Sequence, residues 1–188
     1  MLHRIRFAMT QEPLAEKLQG IVECDETYIG GRAKNCKRGR GADKKVPVFS
    51  LVERGVRVKS QSVTNVTGRN LKSIIFANVN SNASICTDEF PSYKGLDNFA
   101  RNHYVINHRF KIYVEGQVHT NTVEGYFSLL NRRINGTFHH VSPRLLAFYL
   151  QEFDFRFNNR KVTDYERTLA LLKATGGKRL MYRGVGSC

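Results

Sequence analysis

The residues with the clearest chemical potential in this sequence are three acids, Asp25, Asp88 and Glu124. Asp25 lies in a β-rich run, Ile21-Val22-Glu23-Cys24-Asp25-Glu26-Thr27-Tyr28-Ile29, that ends at Gly30-Gly31. Asp88 directly follows a short apolar strand candidate, Ala83–Thr87, and Glu124 falls in the first turn of a helix candidate over 121–134. Two acids on strands and one on a helix can converge at the carboxyl edge of a sheet, where α/β folds place ligands. Carboxylates gathered at one point repel and raise one another's pKa unless a cation neutralises them. Hard oxygen donors select Mg²⁺ or Mn²⁺, and two such ions about 3.5–4 Å apart can activate a nucleophile and stabilise a leaving oxygen at a phosphodiester. The expectation is a pair of Mg²⁺ or Mn²⁺ ions, with Asp25, Asp88 and Glu124 both catalytic and metal-ligating. The chain holds sixteen Asp and Glu, so a triplet alone has bland alternatives. Asp25 then reads as a surface acid on an edge strand, and Asp88 and Glu124 as capping residues, Asn121 with Glu124 resembling a capping box.

The elements that must position these acids follow from periodicity. Val46–Val52 and Val56–Val66 read as two further strands around the turn Glu53-Arg54-Gly55. Leu71, Ile74, Ile75 and Val79 have helical spacing, and Tyr104-Val105-Ile106 reads as another strand. Val123, Phe127, Leu130 and Ile134 line one face of the helix over 121–134, which Asn135-Gly136 should stop. Ser142-Pro143 starts a last long helix through about Phe157, with Leu145, Leu146, Phe148, Tyr149, Leu150 and Phe153 at helical spacing for its core face. Phe155 and Phe157 extend that core or form a dimer surface. Three strands as an antiparallel meander, followed by strands added in parallel through helical crossovers, make an RNase H-like (retroviral-integrase-like) α/β fold: a mixed sheet flanked by helices. The domain reading is a remnant of an N-terminal helical region at 1–20, a catalytic domain at 21–160 and a basic C-terminal tail at 161–188.

Charge points to the partner. Thirty Lys and Arg against sixteen Asp and Glu give +14, and such an excess favours a phosphate backbone through counterion release. Lys34, Lys37, Arg38, Arg40, Lys44 and Lys45 form a glycine-containing basic loop after the first strand. Arg132 and Arg133 lie two turns beyond Glu124, while His119 and Asn121 just precede it. All ten are candidate DNA contacts; for His119, as for Asn107-His108, a structural hydrogen-bonding role is an equal alternative. Cys24, Cys36, Cys86 and Cys188 are scattered, with no paired spacing for zinc or a disulfide framework. There is neither an apolar run of about 18 residues nor a signal-peptide pattern, so no membrane partner and a cytoplasmic, nucleoid-associated location are expected.

Several segments resemble one family of bacterial insertion-sequence transposases, the ISXO-like group related to Merlin elements. They are V-E-C-D-E-T-Y-I-G-G at 22–31, L-V-E-R-G at 51–55, T-D-E-F-P-S-Y at 87–93 and V-I-N-H-R at 105–109. The longest is V-H-T-N-T-V-E-G-Y-F-S-L-L-N-R-R-I-N-G-T-F-H-H-V-S at 118–142. The likeness runs in order from about residue 1 to 160. It implies an RNase H-like DDE transposase that acts on element ends and target DNA as at least a dimer, with Asp25, Asp88 and Glu124 matching the acidic triad. Two departures stand out. Asn131 occupies a position that is usually Lys in the family, with Arg132 and Arg133 beside it. Met1-Leu-His-Arg-Ile-Arg aligns with the end of a usual N-terminal extension, which implies an N-terminally truncated chain. Two rival readings fit the same residues: a catalytically silent DNA-binding remnant, and a related nuclease that cuts without joining.

Overall fold

The structure is a computed structural model and describes residues 2–9, 17–30, 45–106 and 119–178. The β-rich run forms β1 (Ile21–Ile29), which pairs antiparallel with β2 (Val46–Glu53). A turn at Gly55, whose φ of 73° suits glycine, leads into β3 (Val58–Ser62) at the sheet edge. The helix α2 (Gly68–Asn78) crosses over to β4 (Ser84–Asp88), which runs parallel to β1; β5 (Asn102–Ile106) then adds parallel to β4. The resulting order, β3-β2-β1-β4-β5, is the mixed sheet expected of an RNase H-like domain. β1 is its middle strand, so Asp25 is not an edge-strand acid.

Alternate side chains of β1 leave opposite faces of the sheet. Val22 and Cys24 pack with Phe49, Leu51, Leu71 and Ile75 beneath α2. On the other face Ile29, Val48, Val52 and Val58 meet α3 (Asn121–Arg133) and α4 (Leu146–Asn158) through Val123, Phe127 and Leu150. Each aliphatic side chain fully buried in these layers stabilises the fold by about 1.5–3 kcal/mol. This packing fixes the sheet face that bears the odd-numbered acids of β1.

Some boundaries differ from the sequence reading. β3 is shorter than 56–66 because Val56 belongs to the exposed turn and Val63 already bonds sideways to the Pro47 carbonyl. Asn135-Gly136 does not stop the chain's winding; Ile134–Phe138 widens into a π-helical turn that ends at His139, with φ 56°. Phe153 and Phe155 are buried and Phe157 packs edge-on against Tyr126 at 5.4 Å, so this aromatic cluster belongs to the core. At the N-terminus α1 (Leu2–Ala8) docks on α4. Its buried Arg6 pairs with Glu152 at 2.8 Å and lies 3.9 Å from the centroid of the Tyr149 ring. Within 161–188 a further helix, α5 (Asp164–Ala174), begins with a capping box between Thr163 and Glu166. Among the described residues no helix is long and apolar enough to cross a membrane.

Candidate active site

The β1–β4 register runs Ile21 with Ser84, Val22 with Ile85 and Glu23 with Cys86. Continued by two residues, it sets Asp25 beside Asp88, on the sheet face shared with Glu23. Asp88 is the last residue of β4, and its Oδ1 accepts the Phe90 N–H at 3.0 Å in a tight local turn. Asp25 Oδ1 accepts the Glu26 N–H at 2.7 Å. Glu124 comes from the layer above, exposed in the first turn of α3, and accepts the Thr120 hydroxyl at 3.3 Å.

The electrostatics tie the three together. Burial, and then the negative neighbours Glu26, Asp88 and Glu124, push the Asp25 carboxyl up to about 8, against the opposing hydrogen bond from Glu26 N–H. Such a group holds its charge at neutral pH only beside a positive partner. Among the described residues, no three His, Cys, Asp or Glu side chains are drawn close enough to clasp an ion together. Donor type and charge nevertheless fit a hard divalent cation, since all three candidates offer carboxylate oxygens and Asp25 is destabilised by its acidic surroundings. Glu124 is the exposed one of the three.

Glu23, two residues before Asp25, was not singled out by the sequence, yet it organises this region. Its carboxylate is fully buried. Oε2 accepts the N–H groups of Thr122 at 2.8 Å and Val123 at 2.9 Å, while Oε1 accepts the Thr122 hydroxyl at 2.8 Å. Arg54, from the β2–β3 turn, donates Nε to Oε1 at 2.5 Å and Nη2 to the His119 carbonyl at 2.7 Å. His119 Nδ1 stands 3.2 Å from Oε1, within ion-pair reach but off hydrogen-bond geometry. Glu23 is thus the acceptor at the N-terminus of α3; Asn121 and Glu124 do not form a capping box, because Thr120 occupies the N-cap position. The available signal was three acids within four residues, Glu23, Asp25 and Glu26, too many for a strand covered on both faces.

The family model for the ISXO2-like transposase domain matches residues 17–158. The chain belongs to this family. An uncharacterised protein in transposable element ISH50 of Halobacterium salinarum is 30% identical over 169 residues, covering 80% of this chain. The alignment spans 56% of that relative's length. An uncharacterised transposase-like protein of Haemophilus influenzae is 28% identical over 106 residues, covering 56% of this chain and 85% of the relative. Among solved structures, a Mos1 transposase paired-end complex with left transposon end overlaps 92% of this chain and 62% of that one. Its identity is 11% and its TM-score 0.34, an overlap too loose to carry an argument. The family match takes in all three acids, Glu23 and Arg54, and leaves α1 and α5 outside.

Within this transposase-family domain, the candidate DNA contacts fall in different places. Arg132 and Arg133 are exposed in the last turn of α3, about 12 Å along its axis from Glu124. Arg133 also lines a cavity of about 140 Å³ between α3 and α4, together with Arg156 and Arg160. Asn121 is exposed at the start of α3, and Lys45 is half-buried just before β2. His119 faces the Glu23 carboxylate. Lys34, Lys37, Arg38, Arg40 and Lys44 lie outside the described residues, as do Asn107, His108, Cys36 and Cys188.

A second polar cluster lies deeper on the same sheet face. Ser50, the β2 partner of Asp25, donates its hydroxyl to Ser60 Oγ at 2.9 Å, and Ser60 Oγ contacts Tyr126 Oη at 3.1 Å. Tyr126 Oη donates to Asp154 Oδ1 at 2.7 Å, while Asp154 Oδ2 accepts the Ser60 N–H at 2.7 Å. This network ties α3 and α4 to the edge strand behind the acids.

Proposed function

We propose that the chain is the catalytic part of a DNA transposase that cuts element ends and joins them to target DNA. The observation that carries this reading is the placement of Asp25 and Asp88 on adjacent parallel strands, with Glu124 entering from the helix above. Asp25, Asp88 and Glu124 would hold two Mg²⁺ or Mn²⁺ ions. When bound, the ions supply Lewis-acid stabilisation of charge at the scissile phosphodiester.

In the first step water adds to phosphorus and the P–O3′ bond breaks, leaving a 3′-hydroxyl and a 5′-phosphate. In the second, that 3′-oxygen forms the new bond to a target phosphorus, loses its proton, and displaces the target's own 3′-oxygen. The protein's part is to hold the reacting strand in line: the middle of β1 and the end of β4 fix two carboxylates, and Arg132 and Arg133 bind phosphates further along α3. Paired element ends call for at least two copies of the chain, acting where chromosomal DNA lies. The test is covalent joining of labelled element-end DNA to a target plasmid in Mg²⁺ or Mn²⁺. Joined product supports the reading; 3′-hydroxyl ends that never join would make the chain a nuclease, and no cleavage a silent remnant.

A further inference from the structure

The acid two residues before Asp25 invites a question that simple helix capping does not answer: why a full carboxylate with its own arginine is buried there. A serine or aspartate at the N-cap position would satisfy the same helix N–H groups from within α3. Here the acceptor comes instead from β1, on the sheet face that carries Asp25, and it grips Thr122 and Val123, the residues immediately before Glu124. One side chain therefore joins the strand that bears one candidate metal ligand to the turn that bears another. Arg54 completes the clamp by pairing with the carboxylate and bonding the carbonyl of His119, which holds the approach to α3 as well as its first turn.

We infer that Glu23 is a positioning residue: through Thr122 and Val123 it sets the distance of Glu124 from Asp25 and Asp88, and so governs divalent-metal affinity without touching the metal. This rests on the active-site reading above. Both links are short. A single residue of extended strand, Cys24, separates Glu23 from Asp25, and a single peptide separates Val123 from Glu124, so slack in the clamp becomes slack in the ligand set.

The test is direct Mn²⁺ binding, by the loss of free-ion paramagnetic resonance signal, on wild-type, Glu23→Gln and Thr122→Val proteins. Asp25→Asn serves as the site control and Leu150→Val in the α3–α4 core as a stability control. Glu23→Gln should weaken Mn²⁺ binding about tenfold, as loss of a ligand-orienting partner does elsewhere. Thr122→Val, which removes one hydroxyl from the clamp, should weaken it about threefold, the equivalent of one hydrogen bond. Leu150→Val should lower the melting temperature and leave Mn²⁺ affinity alone; a purely structural role for Glu23 predicts that same pattern for the clamp variants. Should Glu23→Gln fail to fold, Thr122→Val decides. Wild-type Mn²⁺ affinity in the folded clamp variants, with binding abolished in Asp25→Asn, overturns the positioning role alone. Equal binding by wild type and Asp25→Asn overturns the site, and the inference with it.

Discussion

Asp25 and Asp88 stand on neighbouring parallel strands, two residues beyond the last registered pair, Glu23 with Cys86, so both carboxyl groups leave the same face of the sheet. Neither acid reaches this position through a flexible loop. β1 is held by partners on both sides, and β4 ends at Asp88 itself. Rigid backbone under two of the three proposed ligands would suit the proposed reaction, which depends on placing a phosphorus within tight tolerances. Glu124 enters on a helix end that is fastened to β1 by Glu23, so the third position is built on the same strand as the first.

The buried network behind the acids should be measurable as stability. Tyr126→Phe removes the hydroxyl that donates to Asp154 and contacts Ser60, leaving a buried carboxylate one donor short. The expected loss is about 1.5–3 kcal/mol at pH 8, the range for a hydrogen bond to a charged group. Urea unfolding of the two proteins at that pH reads it directly. A midpoint unchanged by the substitution would mean that the hydroxyl is replaceable by solvent.

Asp154 also predicts a pH dependence. Complete burial raises its carboxyl to about 7, against the pull of hydrogen bonds from Tyr126 and Ser60 and the charge of Lys59. A raised folded-state pKa means the native state binds the proton more tightly than the unfolded chain. Its contribution is fully present below the unfolded value near pH 4 and is lost as pH rises through about 7. Each tenfold difference in proton affinity between the two states is worth about 1.4 kcal/mol. Wild type should therefore lose a few kcal/mol relative to Asp154→Asn between about pH 4 and 7. Parallel stability curves for the two proteins over that window would refute the assignment.

Arg132 and Arg133 are expected to act through phosphates and without base preference. Each phosphate contact contributes about 0.9 to the slope of log affinity against log salt, so Arg132→Gln/Arg133→Gln should flatten that slope by up to about 1.8. Affinity for duplex DNA measured across a salt series gives the number. An unchanged slope would remove α3's last turn from the DNA path.

Much of the sheet was legible because its signals are local. The β-rich run at 21–29, closed by Gly30-Gly31, marks β1 to the residue, and the apolar stretch before Asp88 marks β4. The role of Glu23 was not legible, because its meaning lies in Thr122 and Val123, about a hundred residues away, and an acid on a strand reads as solvated until a helix is laid over it. Asp154 is hidden for the same reason: its donors sit on β3 and α3, and its neighbours Phe153 and Phe155 look like simple core. In contrast, Thr163 and Glu166 show a local capping signal in sequence, and reading 161–188 as a basic tail passes over it.

The central claim is that three acids from β1, β4 and α3 serve one metal site. The most direct measurement is Mn²⁺ binding to wild-type protein and to Asp25→Asn, Asp88→Asn and Glu124→Gln singly, each checked for an intact fold by circular dichroism. Each substitution should weaken Mn²⁺ binding markedly while leaving DNA affinity in metal-free buffer at least as high, since none of them removes a basic side chain. Wild-type Mn²⁺ affinity in any one of the three folded variants would contradict a shared site.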